Sequence, residues 1–273
     1  MKLVIATRLH LGRASSPPTE ESLHSVLANL RGVCDDNGLR QDYETEVLIA
    51  VDATPRLEGY DYVEAVRSAL HSNSTNEANG SNHIHILPVT PWGKFVPALN
   101  SLVIHAKTQQ EADLIMFVSA EVNLSCKTVR TLCQQVSDNK NVIVAGAVLN
   151  GHQYHEIESS SDERGRVVPL TGRTTPWNTL CVWDLHKLSM TGFSIISDLG
   201  KSAGVEECAA IALLQNLFPE AEARLVNVDG TKWEEEFQDE ERRKWHEEKM
   251  KSKVERPRRQ LELLGLSGTV LHC

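Results

Sequence analysis

Along this chain, short runs of consecutive apolar residues alternate with stretches whose apolar positions recur every three or four residues. The runs are KLVIAT (2–7), EVLIAVD (46–52), HIHILPV (83–89), DLIMFVS (113–119) and NVIVAGAV (141–148). Each has the length and continuity of a strand buried on both faces. A helix is predicted to open near Thr19-Glu20-Glu21, with Leu23, Val26, Leu27 and Leu30 on one face. Others are predicted from about Tyr60 to Leu70, after a Pro91–Gly93 turn (Leu99, Leu102, Val103, Ala106), and around Val129, Leu132 and Val136. Strands linked by crossover helices predict an α/β fold: a Rossmann-like, mixed and mainly parallel sheet with helices on both faces.

The pattern changes after Gly151. HQYHEIESSSDERGRVVPL reads as an exposed hairpin or loop, PWNTLCVWDL as a strand, SAGVEECAAIALLQNLF as a helix and EARLVNVD (222–229) as a late strand. SNSTNEANGSN (72–82) is polar and Gly/Asn-rich, as surface loops are. From Trp233 to about Arg256 the chain is dominated by charge, acids first and bases last, which suits a helix macrodipole. Trp233 and Phe237 share a face, so a solvated helix strapped onto the domain is expected; a partner-binding helix is the alternative.

At 273 residues the chain suits one large domain, or one domain with an appendage. Its formal net charge of -9 argues against a general nucleic-acid binder. No apolar stretch is long enough to cross a bilayer, and the N-terminal run is too short for a signal peptide, so a soluble, cytoplasmic protein is expected. The six cysteines form no C-x-x-C pair, and no structural disulfides are expected; Cys126 and Cys133, two turns apart on a predicted helix, read as small buried residues.

Several chemistries drop out. Gly200-Lys201-Ser202 ends like a phosphate-binding loop, but Ile195 stands where its first glycine belongs, and no G-x-G-x-x-G follows the first strand. HQYHE and HEEKM are not H-E-x-x-H, and there is no G-x-S-x-G elbow. What remains is a set of acids at strand and helix ends. Ligands of parallel sheets bind beyond the carboxyl ends of the strands, which singles out Thr7-Arg8, Asp52 and Ser119 to Glu121.

In element order over roughly residues 2 to 230, and at these residues, the sequence resembles the GT-A nucleotide-sugar glycosyltransferases, especially the large inverting family that includes dolichyl-phosphate-mannose and cellulose synthases. VIATRLH keeps Thr7 of the family's Pro-Thr turn but has Ala6 for the proline. AVDATP keeps Asp52 of Val-Asp-Asp-Gly-Ser, with Ala53 for the second acid. WGKFVPALNSLV is similar to Gly-Lys-Gly-x-Ala-x-Asn at Gly93, Lys94, Ala98 and Asn100. The metal-binding Asp-x-Asp becomes Ser119-Ala120-Glu121, Thr191-Gly192-Phe193 stands for Gly-Gly-Phe, and Glu206-Glu207 falls where the family has Glu-Asp.

The resemblance implies a domain over 1–230, with a nucleotide-binding half (1–150) and an acceptor half (151–230), followed by a charged helical extension over 231–273. It implies nucleotide binding by Thr7, Arg8, Asp52, Lys94 and Ser119. Glu121 would hold Mn²⁺ or Mg²⁺, and Glu207, beside Glu206, would deprotonate a hydroxyl acceptor. Acids are also favoured at any helix N-terminus, and a carboxylate at a strand end is common on plain surfaces. Trp177 and Trp183 are candidates for stacking on a sugar, core packing being the simpler assignment. His83 and His85 read as packed or surface histidines rather than ligands; His152 and His155 are open between that assignment and reaching a metal from the hairpin. ERRKW (241–245) lacks the glutamine of the processive-synthase signature, and that reading is rejected. Three functions follow: a soluble transferase using a nucleotide-diphosphate sugar, a fold that binds nucleotide or sugar without turnover, and a scaffold for another protein.

Overall fold

A computed structural model describes residues 1–12, 16–72, 83–155, 165–228 and 240–273, the helical backbone alone over 240–251. Trp233 and Phe237 lie outside the described residues. The elements run β1 (Lys2–Leu9), α1 (Glu20–Cys34), α2 (Asn37–Asp42), β2 (Glu44–Asp52), α3 (Tyr62–Ser72), β3 (Ile84–Val89), α4 (Val96–Thr108), β4 (Leu114–Val118), α5 (Cys126–Ser137) and β5 (Val142–Ala147). They continue with β6 (Arg166–Pro169), β7 (Leu180–Asp184), α6 (Leu185–Thr191), α7 (Glu206–Leu217), β8 (Glu222–Val226), α8 (Glu240–Leu264) and β9 (Thr269–His272), with short 3-10 turns between α6 and α7.

Among the described residues, nine strands form one sheet in the order β3-β2-β1-β4-β7-β5-β8-β9-β6. As expected it is mainly parallel, because helical crossovers join β1 to β2, β2 to β3 and β3 to β4. The strands alternate between two cores. Leu3 and Ile5 of β1, with Val47 and Ile49 of β2, meet α1, α3 and α5 on one face. Val4, Ala6, Leu48 and Ala50 meet α4, α6 and α7 on the other. Burial on both faces is why these strands read as continuous apolar runs. Of the expected small cysteines, Cys133 is buried and Cys126 half-buried, and all six cysteines are free.

Two departures from parallel order matter for the site. β7 runs antiparallel between β4 and β5, pairing Leu180 with Val118. Its first residues therefore lie beside the carboxyl end of β4, where the Ser119 N–H donates to the Thr179 carbonyl at 2.9 Å. At the far side, β9 is inserted between β8 and β6. The segment expected as a charged extension thus supplies a helix, α8, and then a strand inside the sheet.

Candidate active site

The carboxyl ends of β1 and β4 and the start of β7 enclose a cleft of about 100 Å³. Thr7, Arg8, His10, Phe95, Ser119, Glu121 and Asn178 line it. Thr7 is buried, and its hydroxyl donates to the Val118 carbonyl at 2.8 Å, so it ties β1 to β4 at the cleft floor. The Arg8 guanidinium lies over the Phe95 ring, 5.8 Å from its centroid. Ser119 opens a tight turn closed by the Val122 N–H onto its carbonyl, and Glu121 is exposed on that turn.

Asp52, at the end of the neighbouring β2, is buried and already engaged. One carboxylate oxygen accepts from the Thr54 N–H at 3.0 Å and the other from Arg56 Nε at 2.7 Å. Burial alone would raise its pKa, but the bonds from Thr54 and Arg56 hold it below the ordinary carboxylate value. His10, which lines the cleft directly after β1, is not legible in the sequence, since a lone histidine following a strand carries no signal. Its ring lies against Trp92, and Asp52, Arg56, Arg8 and Glu121 all act on its charge. Desolvation, and then Arg8, lower its pKa.

Lys94 does not join the cleft. Its Nζ donates to the Gly200 carbonyl at 3.1 Å, and its N–H is one of three at the start of α4 that the Asp198 carboxylate accepts. Gly93 is required there: its φ is +67°, and an added Cβ would lie 2.6 Å from Asp198 Oδ2. Asn100 accepts from the Phe193 N–H at 2.8 Å and donates to its carbonyl at 3.0 Å. Two of the motif-like segments, WGKFVPALN and TGF, therefore pack on one another.

Glu206 and Glu207 begin α7, and both are buried. Val205, before them, is left-handed (φ 59°, ψ 44°), a conformation costly for a β-branched residue. Asn178 links the pair to the cleft. Its N–H donates to Glu207 Oε1 at 2.5 Å and its Nδ2 to Glu206 Oε1 at 3.3 Å, while its Oδ1 accepts from Trp183 Nε1 at 3.1 Å. Glu207 Oε2 is buried without a hydrogen-bond partner. Burial, and then the neighbouring Glu206, push the Glu207 pKa up to about 8.

Trp177 is not open for stacking. His152 is stacked on it with ring centroids 3.6 Å apart, and Lys253 Nζ of α8 lies 3.0 Å from its centroid. Its Nε1 donates to the Gly172 carbonyl at 2.9 Å. Trp183 is fully buried in the core. Among the described residues, no three His, Cys, Asp or Glu side chains converge on a point where they would hold a metal ion. Glu121 alone does not build a resident Mn²⁺ or Mg²⁺ site; an ion there would have to share ligands with a bound diphosphate.

No family model matches the sequence, and no curated protein matches it. Solved structures do. A mannosyltransferase from Pyrobaculum calidifontis, solved with GDP-Man and Mn²⁺, superposes with a TM-score of 0.53 at 13% identity, over 79% of this chain and 52% of that one. This chain therefore spans about half the length of that enzyme. A 4-diphosphocytidyl-2C-methyl-D-erythritol synthase from Anaerococcus prevotii gives a TM-score of 0.46 at 9% identity, over 89% of this chain and 95% of that one. At such identities the likeness is one of fold, and the fold is of the GT-A type.

Proposed function

We propose that this protein is a glycosyltransferase that moves a sugar from a nucleotide-diphosphate donor to a hydroxyl acceptor with inversion. The observation that carries the reading is Glu207: a carboxylate with one oxygen fixed by Asn178, the other unpartnered, directly behind the cleft wall. Val205, two residues before it, is held left-handed, and strain that the surroundings hold in place concentrates at functional sites. A pKa near 8 also suits a general base, which works best close to the operating pH.

In this reading Glu207 takes the acceptor's proton as the acceptor oxygen bonds to the anomeric carbon. The bond from that carbon to the diphosphate oxygen breaks on the opposite face, and the nucleoside diphosphate leaves with the electron pair. Arg8, in the cleft, and Arg56, beside Asp52, are the cations placed to offset the negative charge that develops. The cleft is smaller than the roughly 300 Å³ at which ligand pockets begin. The cleft is accordingly assigned to the donor's diphosphate beside Arg8, with the sugar and the nucleobase extending beyond it, the nucleobase toward Asp52 at the end of β2.

Calorimetry with UDP and GDP, with and without Mn²⁺, is the first test, followed by donor turnover in wild type and Glu207→Gln. The variant should keep nucleotide binding and lose about 10²–10⁴-fold in turnover. Failure of both nucleotides to bind under either condition would overturn the reading. A second reading, nucleotide binding without turnover, draws on Asp52 being sealed by Arg56 and on Ser119 replacing an acid. Its signature is binding that Glu207→Gln leaves unchanged and no donor consumption by the wild type.

A further inference from the structure

Helix α8 lies across the start of α7. Arg256 Nη1 donates to the Ala203 carbonyl at 2.8 Å, and Gln260 Nε2 donates to the Gly204 carbonyl at 2.9 Å. The Gln260 amide also reaches Ser202 and accepts from the Ser197 hydroxyl at 2.9 Å. Gly172 is pressed so closely against α8 that a Cβ there would sit 1.8 Å from the Lys253 carbonyl oxygen. Lys253 covers one face of Trp177 while His152 covers the other. Glu206 and Glu207 are left about 4–5% exposed beneath this cover. A hydroxyl cannot reach Glu207 past it.

The cover is attached differently from the rest of the molecule. Over 252–264 the buried apolar side chains are Pro257 and Leu261, while Val254 and Leu263 are 37% and 72% exposed. Its hold is a few polar contacts to the 197–204 segment, the Lys253–Trp177 contact and the packing of Pro257 and Leu261. Beside that of strands buried on both faces this attachment is thin, the profile of an element that opens before the core does. It ends at Gly265, whose φ is +63° and around which a Cβ would meet nothing within 4 Å. Beyond that glycine, β9 is fixed between β8 and β6.

We propose that α8 is a gate over the acid pair: it pivots at Gly265 with β9 as its anchor, is latched by Arg256 and Gln260, and must lift before an acceptor hydroxyl reaches Glu207. This rests on Glu207 being the base. Closed, the gate also places cations beside the pair; Arg256 feels Glu206 and Glu207, and Lys253 opposes the upward shift of Glu207.

Hydrogen exchange followed by mass spectrometry on the full chain tests the gate without any assumption about activity. In the wild type, amides of 252–262 and of 205–209 should exchange together and faster than those of β1, β2 and β4. Arg256→Ala, and independently Gln260→Ala, should accelerate both segments about tenfold and leave the three strands unchanged. If 252–262 exchanges only in step with the strands, or opens while 205–209 stays protected, there is no gate. Donor turnover in the same variants should rise severalfold; unchanged turnover in a protein that binds nucleotide and opens faster would also overturn it. Failure of the protein to bind nucleotide at all would remove Glu207 as the base and leave the exchange result to decide the motion.

Discussion

Glu207 makes its own prediction about stability. Its folded pKa is raised from 4.5 to about 8, so between those values the folded protein holds a proton that the unfolded chain has released. Stability supplied by this group is therefore complete below about pH 4.5, falls as pH rises toward 8, and is level above. Glu207→Gln lacks the titration. In thermal melts the variant should gain on the wild type steadily from pH 5 to pH 8; a constant difference across that window would mean that Glu207 does not carry the shift. Asp52 has the opposite sign: its depressed pKa gives stability that is lost as pH falls through the folded value. Of the candidate residues, Thr7, Arg8, Ser119 and Glu121 meet at one cleft, Asp52 ends the neighbouring β2 and is bonded to Thr54 and Arg56, and Lys94 is used elsewhere. Strand ends were legible because apolar runs stop there. Asn178, which joins the cleft to the acids, was not, because its importance comes from antiparallel β7 and no local pattern announces the direction of a strand.

At the scale of elements, α4 shows how a familiar-looking motif arises from packing. Phe95 at its N-cap makes no side-chain cap; Asp198, a hundred residues later, accepts the N–H groups of Lys94, Phe95 and Val96, the two residues before the helix and its first. Asp198→Ala should cost about 1–2 kcal/mol in urea denaturation, the upper range for a lost helix cap. Gly93→Ala should cost at least as much, because it combines a left-handed backbone with a collision against the same carboxylate. A shift below about 0.5 kcal/mol for both would show that the cap is replaceable by water. The five early strands and the long helices were readable from periodicity. The short α2, β6, α6 and β9 were not, since four to seven residues give too few positions for a period to stand out. For β9 the one available hint was Gly265 and Gly268 closing a helix ahead of Thr269-Val270-Leu271.

For the whole molecule, β9 ties the charged C-terminal segment to the sheet. Residues 231–273 read as an appendage because charge dominates them, yet their last residues pair on both edges within the sheet, and His272 is fully buried. Removing residues 265–273 should leave β6 without a partner and open the edge of β8, giving a protein that aggregates on expression or lacks a cooperative melt. A soluble truncation with a wild-type transition would contradict this. Interleaving also sets a timetable. During synthesis β1 to β4 can assemble as they emerge, but β5 waits for β7, and β6 waits for a strand made about a hundred residues later. Until β9 has been made, β6 is an unmatched strand edge and α8 has no anchor beside the acid pair, so one four-residue strand completes sheet and site together.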